Sequence, residues 1–150
     1  MAGTNSVLLA PSEIQGSPAS MHESSVPPRV LYVDDEAVIR RIITRAFERE
    51  GIEVRTAAEG SVGVALAVDW HPDVILMDLM MPGMDGFEAT RMLRCDPRTR
   101  HIVIIAYSAS PPGAATRRAF EAGVDAFLSK TIPQRELVAV VRERLDAQAA

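Results

Sequence analysis

The chain has 150 residues, 47% of them hydrophobic and 24% charged, which is the bulk of one globular domain. Its net charge is −4; Glu13 and Glu23 carry two of those charges ahead of Arg29, and the −2 left is a poor electrostatic platform for nucleic acid. No apolar run is long enough to span a bilayer, no basic segment leads into an apolar one at the N-terminus, and the single cysteine excludes an internal disulfide and a cysteine-built zinc site. A reducing cytoplasm is the expected setting, and Cys95 reads as a half-buried small hydrophobe on a helix.

Residues 1–28 are rich in Ser, Pro, Gly and Ala with no sustained period, and are expected to be a disordered tail ahead of a folded domain at 29–150. Arg29–Val33 reads as the first strand and ends in Asp34-Asp35-Glu36. A helix is expected over 36–50. Its apolar stripe is Val38, Ile39, Ile42, Ile43, Ala46 and Phe47; Arg40, Arg41, Arg45 and Glu48 face water, and Gly51 terminates it. A short strand at 53–57 precedes a helix at 60–68, after which Trp70 is expected to pack. The third strand, 73–78, carries four successive apolar residues, Val74 to Met77, as a strand buried on both faces would. It surfaces at Asp78, and Pro82 and Gly83 make the following loop.

A third helix at 86–95 is broken by Asp96-Pro97. The fourth strand spans 101–107 and is left through Ser108-Ala109-Ser110. Pro111, Pro112 and Gly113 open a fourth helix that Gly123 stops. The fifth strand, 126–128, is followed by Ser129-Lys130, and Pro133 opens a last helix with Leu137, Val140, Val141 and Leu145 on one face. His22, His71 and His101 are scattered without metal spacing and read as surface residues.

Strand and helix alternate five times. That pattern implies an α/β fold with right-handed crossovers: a doubly wound five-stranded parallel sheet in the order 2-1-3-4-5, the flavodoxin-like (βα)5 arrangement. Its switch point lies between strands 1 and 3, so Asp34, Asp35 and Asp78 meet at one crevice. Taken alone, Asp78 fits a turn cap as well as a site residue, and Asp34-Asp35 fit a helix cap. Three carboxylates together repel one another and favour a hard cation, Mg²⁺. Strands 4 and 5 bring Ser108 and Lys130 to the same edge. Fifteen of the sixteen basic residues are Arg, so the one Lys stands where a compact ammonium suits better than a planar fork. Acids, a hydroxyl and an ammonium at one edge suit phosphoryl transfer, with Asp78 as the nucleophile.

Asp34-Asp35, the loop Asp78 to Gly86, Ser108-Ala109 and Phe127-Leu128-Ser129-Lys130, in this order on a (βα)5 pattern, resemble the receiver domain of two-component response regulators over 29–150. The resemblance implies a phosphoacceptor at Asp78, with Mg²⁺ held by Asp34, Asp35, Asp78 and the backbone carbonyl of Met80. It implies phosphate binding by Lys130, Ser108 and the Ala109 backbone N–H, and a switch in Ser108 and Phe127. It implies a histidine kinase or histidine phosphotransfer protein as donor, docking on the first helix. The expected protein accepts a phosphoryl group but is not a turnover enzyme. The chain ends soon after its fifth helix, so a stand-alone type is expected. Its output is then a downstream protein target, with no direct nucleic acid and no membrane insertion; a phosphorylation-dependent dimer is left open. Three departures stand out: Thr131 follows Lys130 where the family usually has Pro, Phe127 lacks the hydroxyl of the commoner Tyr, and an apolar Met80 cannot orient an attacking water, which implies slow self-dephosphorylation. Two rival classes are a phosphorylation-independent interaction module and a metal-dependent phosphohydrolase; the second generally needs an acid where Met80 stands.

Overall fold

The computed structural model describes residues 26–149. Most of the expected tail, 1–25, and His22 with it, lies outside the described residues; within them the sheet is already engaged at Pro28, whose carbonyl accepts from the Glu53 N–H at 2.8 Å. The elements in chain order are β1 Arg29–Val33, α1 Ala37–Glu48, β2 Glu53–Ala57, α2 Gly60–Trp70, β3 Val74–Met77, α3 Gly86–Cys95, β4 Val103–Ser108, α4 Ala114–Ala122, β5 Ala126–Ser129 and α5 Gln134–Ala149. All strand pairs are parallel and the sheet order is β2-β1-β3-β4-β5. The doubly wound sheet expected from the alternation is therefore the observed one.

Successive residues of a strand point to opposite faces, and this divides the core in two. Leu31, Val33, Ile75, Met77, Ile104 and Ala106 pack with Ala67 and Trp70 of α2, Phe87 and Leu93 of α3, and Ala119 of α4. Val30, Tyr32, Val74, Leu76, Ile105 and Tyr107 pack with Ile43 and Phe47 of α1 and Leu137, Val141 and Leu145 of α5. All four β3 residues are buried because that strand is central and covered on both sides. Trp70 packs as expected. It is buried with the guanidinium groups of Arg29 and Arg55 over its ring, 5.3 and 4.8 Å from its centre, at the end of β1 remote from Asp34.

Several expectations need correction. The α1 stripe is narrower than its periodicity: Ile43, Ala46 and Phe47 are buried, but Val38 and Ile42 are 61% and 47% exposed. Arg40 does not simply face water; it is half-buried and its Nη1 donates to the Asp34 carbonyl at 2.7 Å. Cys95 is exposed, not half-buried. The fourth strand starts at Val103, because Ile102 closes a turn onto the Thr99 carbonyl. Among the described residues no helix is long and apolar enough to cross a membrane.

Phe47 has no exposed surface and joins α1 to the β1, β3 and α5 side of the core. Phe47→Ala is expected to lower unfolding stability by about 3–5 kcal/mol, read as a lower urea midpoint with unchanged slope.

Candidate functional site

Backbone pairing carried one residue past the strands builds the acidic edge. The N–H of Asp34 donates to the Ala57 carbonyl at 3.0 Å, that of Asp78 to Val33 at 2.9 Å, and that of Lys130 to Ser108 at 2.8 Å. Each side chain thus leaves from a peptide unit that the neighbouring strand fixes. The loop after Asp78 is equally tight. Gly86 begins α3 directly over it, and a Cβ there would lie 2.2 Å from the Asp78 carbonyl oxygen. Gly86 N–H donates back to the Leu79 carbonyl, and Asp85 caps α3 by accepting from the Glu88 N–H at 2.9 Å.

One carboxylate oxygen from each of Asp34, Asp35 and Asp78 lies within 4.8 Å of the others. Asp34 is fully buried, Asp78 nearly so, and Asp35 is exposed. Burial, then the neighbouring Asp34, and to a smaller extent Asp35 push Asp78 up to about 7; Lys130 and the Met80 backbone N–H work the other way. Lys130 Nζ sits among the acids, 2.7 Å from Asp34 Oδ2, 3.5 Å from Asp78 Oδ1 and 3.7 Å from Glu36 Oε1. Burial opposes its charge, but the hydrogen bond to Asp34 and the fields of Asp78, Asp34 and Glu36 outweigh that and hold the ammonium above its ordinary range. Its main partner in this state is therefore Asp34, not Asp78.

The remaining residues fall around this centre. Ser108 is buried at the end of β4, and its Oγ accepts from the Ser110 N–H at 3.1 Å. Ala109 is exposed beside it. Phe127 is half-buried, opposite Ala106 on β4, against the α2–α3–α4 side of the core. The Met80 side chain is 62% exposed. Where Thr131 replaces the usual proline, the Ser129 and Thr131 hydroxyls hydrogen-bond at 2.7 Å and the Thr131 N–H donates to Ser129 Oγ at 3.1 Å. Among the described residues no peptide is cis. Two hydroxyls thus shape the turn that presents Lys130.

Three participants escape the sequence reading. Tyr32 donates its hydroxyl to Asp34 Oδ2 at 2.5 Å, Arg40 ties α1 to the Asp34 carbonyl, and Glu36 lies within reach of Lys130. For Tyr32 a signal existed: it stands two residues before Asp34, and a buried phenol needs a hydrogen-bond acceptor.

An all-oxygen set of three acids within 4.8 Å of one another fits a small hard dication. Asp34, Asp35 and Asp78 would hold it.

A family model described as the response regulator receiver domain matches residues 30–142. The chain is 36% identical over 118 residues to the DNA-binding dual master transcriptional regulator RpaA of Synechocystis sp., covering 79% of this chain and 49% of that protein. It thus spans about half the length of that relative. Among solved structures it is similar to a CheY-like response regulator receiver domain protein from Methanospirillum hungatei, with a TM-score of 0.77, 27% identity, and coverage of 83% of this chain and 98% of that one. It is also similar to the receiver domain of the sensor histidine kinase PA1611 of Pseudomonas aeruginosa, with a magnesium ion coordinated in its active-site cleft; there the TM-score is 0.75, identity 28%, and coverage 81% and 99%.

Asp78 yields a pH signature. A carboxyl that holds its proton more tightly in the folded chain adds stability at low pH and loses it as pH rises through its folded value. Without divalent metal, the urea midpoint of the unsubstituted chain is expected to fall, relative to Asp78→Asn, from about pH 4 up to the folded value of about 7. The variant is then the more stable protein above that range. A difference that does not change with pH would contradict the raised value.

Proposed function

Because the chain belongs to the response regulator receiver domain family, we propose that it is a phosphorylation-switched signalling protein in which Asp78 accepts a phosphoryl group from a histidine kinase or a histidine phosphotransfer protein. The observation that carries this reading is the cluster of three carboxylates within 4.8 Å, with the Lys130 ammonium inside it.

Asp34, Asp35, Asp78 and the Met80 backbone carbonyl would hold Mg²⁺, and the magnesium-bound receiver domain of PA1611 supports that choice of ion. When bound, the ion would offset negative charge on the phosphoryl oxygens. A carboxylate oxygen of Asp78 attacks phosphorus in line with the donor imidazole. The P–O bond forms as the P–N bond breaks, and the imidazole nitrogen keeps the electron pair and takes up a proton. Lys130 turns from Asp34 to a phosphoryl oxygen. Ser108 gives up its contact with Ser110 to donate its hydroxyl proton, and the Ala109 N–H donates beside it. Phe127, half-buried before the transfer, moves into the space that Ser108 leaves, so a local charge event biases a packed element.

The donor would dock on α1. Val38 and Ile42 stand one turn apart on its exposed side, with Arg41 and Arg45 exposed on the same helix. The output is contact with a downstream protein through α4, β5 and α5, in the cytoplasm, and the protein is a switch, not a turnover enzyme.

The protein incubated with Mg²⁺ and acetyl phosphate is expected to gain the mass of one phosphoryl group. The gain is absent in Asp78→Asn and absent with EDTA. No gain, together with no conformational response to beryllofluoride, would favour a phosphorylation-independent interaction module. Once formed, the phosphoryl group is expected to persist, since Met80 offers no hydrogen bond to an attacking water. Met80→Asn should hasten its loss several-fold, followed as the decay of the phosphorylated mass.

A further inference from the structure

Asp34 is the one acid of the site with no exposed surface, so its carboxylate has no bulk water to fall back on. Three donors serve it. The Glu36 N–H donates to Oδ1 at 2.9 Å, while Lys130 Nζ and the Tyr32 hydroxyl both donate to Oδ2, at 2.7 and 2.5 Å. Tyr32 itself is closely packed. It has no exposed surface, lies one residue from the end of β1 opposite Thr56 and Leu76, and meets Tyr107 edge to face with ring centres 6.2 Å apart. Lys130 is the one of the three that stands between two of the acids. It already lies 3.5 Å from Asp78 Oδ1, and its Nζ is 5.8 Å from the centre of the Tyr107 ring.

We propose that Tyr32 is a positioning residue of the site: its hydroxyl fixes the Asp34 carboxylate in the orientation that binds the divalent cation, and keeps Oδ2 satisfied when Lys130 leaves it for the phosphoryl group. This rests on the phosphorylation reading above. The geometry supplies the reason. Lys130 has to serve two oxygens in succession, and a buried carboxylate oxygen abandoned by an ammonium would be left unpaired. A phenol on the same oxygen removes that obstacle. A phenylalanine would fill the same core volume between β1 and Tyr107 but could not do this. Partners of this kind, which orient a ligand without touching the metal, typically contribute tenfold or more to metal affinity.

The test uses the full chain without a phosphodonor. Mn²⁺ is added while the signal of the free ion is followed by electron paramagnetic resonance, and Mg²⁺ is used to displace it. Tyr32→Phe, with unchanged far-ultraviolet circular dichroism, is expected to bind Mn²⁺ about tenfold more weakly than the unsubstituted chain. In the unsubstituted chain, the Tyr32 hydroxyl proton is expected as a downfield NMR resonance that is absent from Tyr32→Phe. It should shift on addition of Mg²⁺ and persist when beryllofluoride occupies the site. The resonance is assigned in the unsubstituted chain by its cross-peaks to the Tyr32 ring, so this second arm holds even if the substitution impairs folding. Equal Mn²⁺ affinity in the folded variant, or disappearance of the resonance with beryllofluoride, overturns the role of Tyr32 while leaving the phosphorylation switch intact. Failure of the unsubstituted chain to bind Mn²⁺ overturns both.

Discussion

The ion pair between Asp34 and Lys130 is the constraint around which the acidic edge is arranged. It joins residues 96 positions apart, one leaving β1 and the other leaving β5, across the ends of β3 and β4. The cost of burying Asp34 is offset only while partners surround it, and removing either member would strand the other charge away from water. The raised state of Asp78 follows first from its burial and then from the same crowding. Asp34 pushes it up, and Lys130, shared between the two acids, pulls it partly back. The ammonium therefore sets how the negative charge of the crevice is distributed before any ligand enters.

The sheet makes such crowding possible. The strands end one residue short of Asp34, Asp78 and Lys130, and a last backbone bond to the neighbouring strand holds each of the three. The two faces of the core then contribute unequally. The α1–α5 side sends Tyr32 and Tyr107 up to the acid and ammonium, while the α2–α3–α4 side supports Phe127 and, through Gly86, presses the α3 start onto the Asp78 backbone. A rigid clamp on the acceptor and polar aromatic support under its neighbour are thus built from opposite sides of one sheet.

Much of this is legible in the residues. Four consecutive apolar residues before Asp78 identify a strand covered twice, and five alternations of strand and helix fix the topology. Once the order 2-1-3-4-5 is granted, Asp34, Asp35 and Asp78 have to meet. What escapes depends on angles that periodicity does not contain. Val38 and Ile42 belong to the apolar period of α1, but the rotation of the helix buries Ile43, Ala46 and Phe47 and leaves those two exposed. Ile102 continues an apolar run yet serves a turn, which moves the start of β4. Alternation puts Tyr32 on a given face, but says nothing of the oxygen its hydroxyl will meet. The spacing brings Lys130 to the acidic edge, but that its ammonium lies nearer Asp34 than Asp78 is a property of packing and not of spacing.

The contact of Trp70 with Arg29 and Arg55 has a practical side. Trp70 is the one tryptophan in the chain, and Arg29, whose Nη1 donates to its backbone carbonyl, opens the strand that Asp34 closes. Five residues of extended chain put roughly 16 Å of β1 between them. Intrinsic fluorescence from this protein is therefore a gauge of whether α2 remains seated on β1 and β2. It is a blind instrument for events at the opposite edge, and an unchanged emission spectrum carries no news about the state of Asp78.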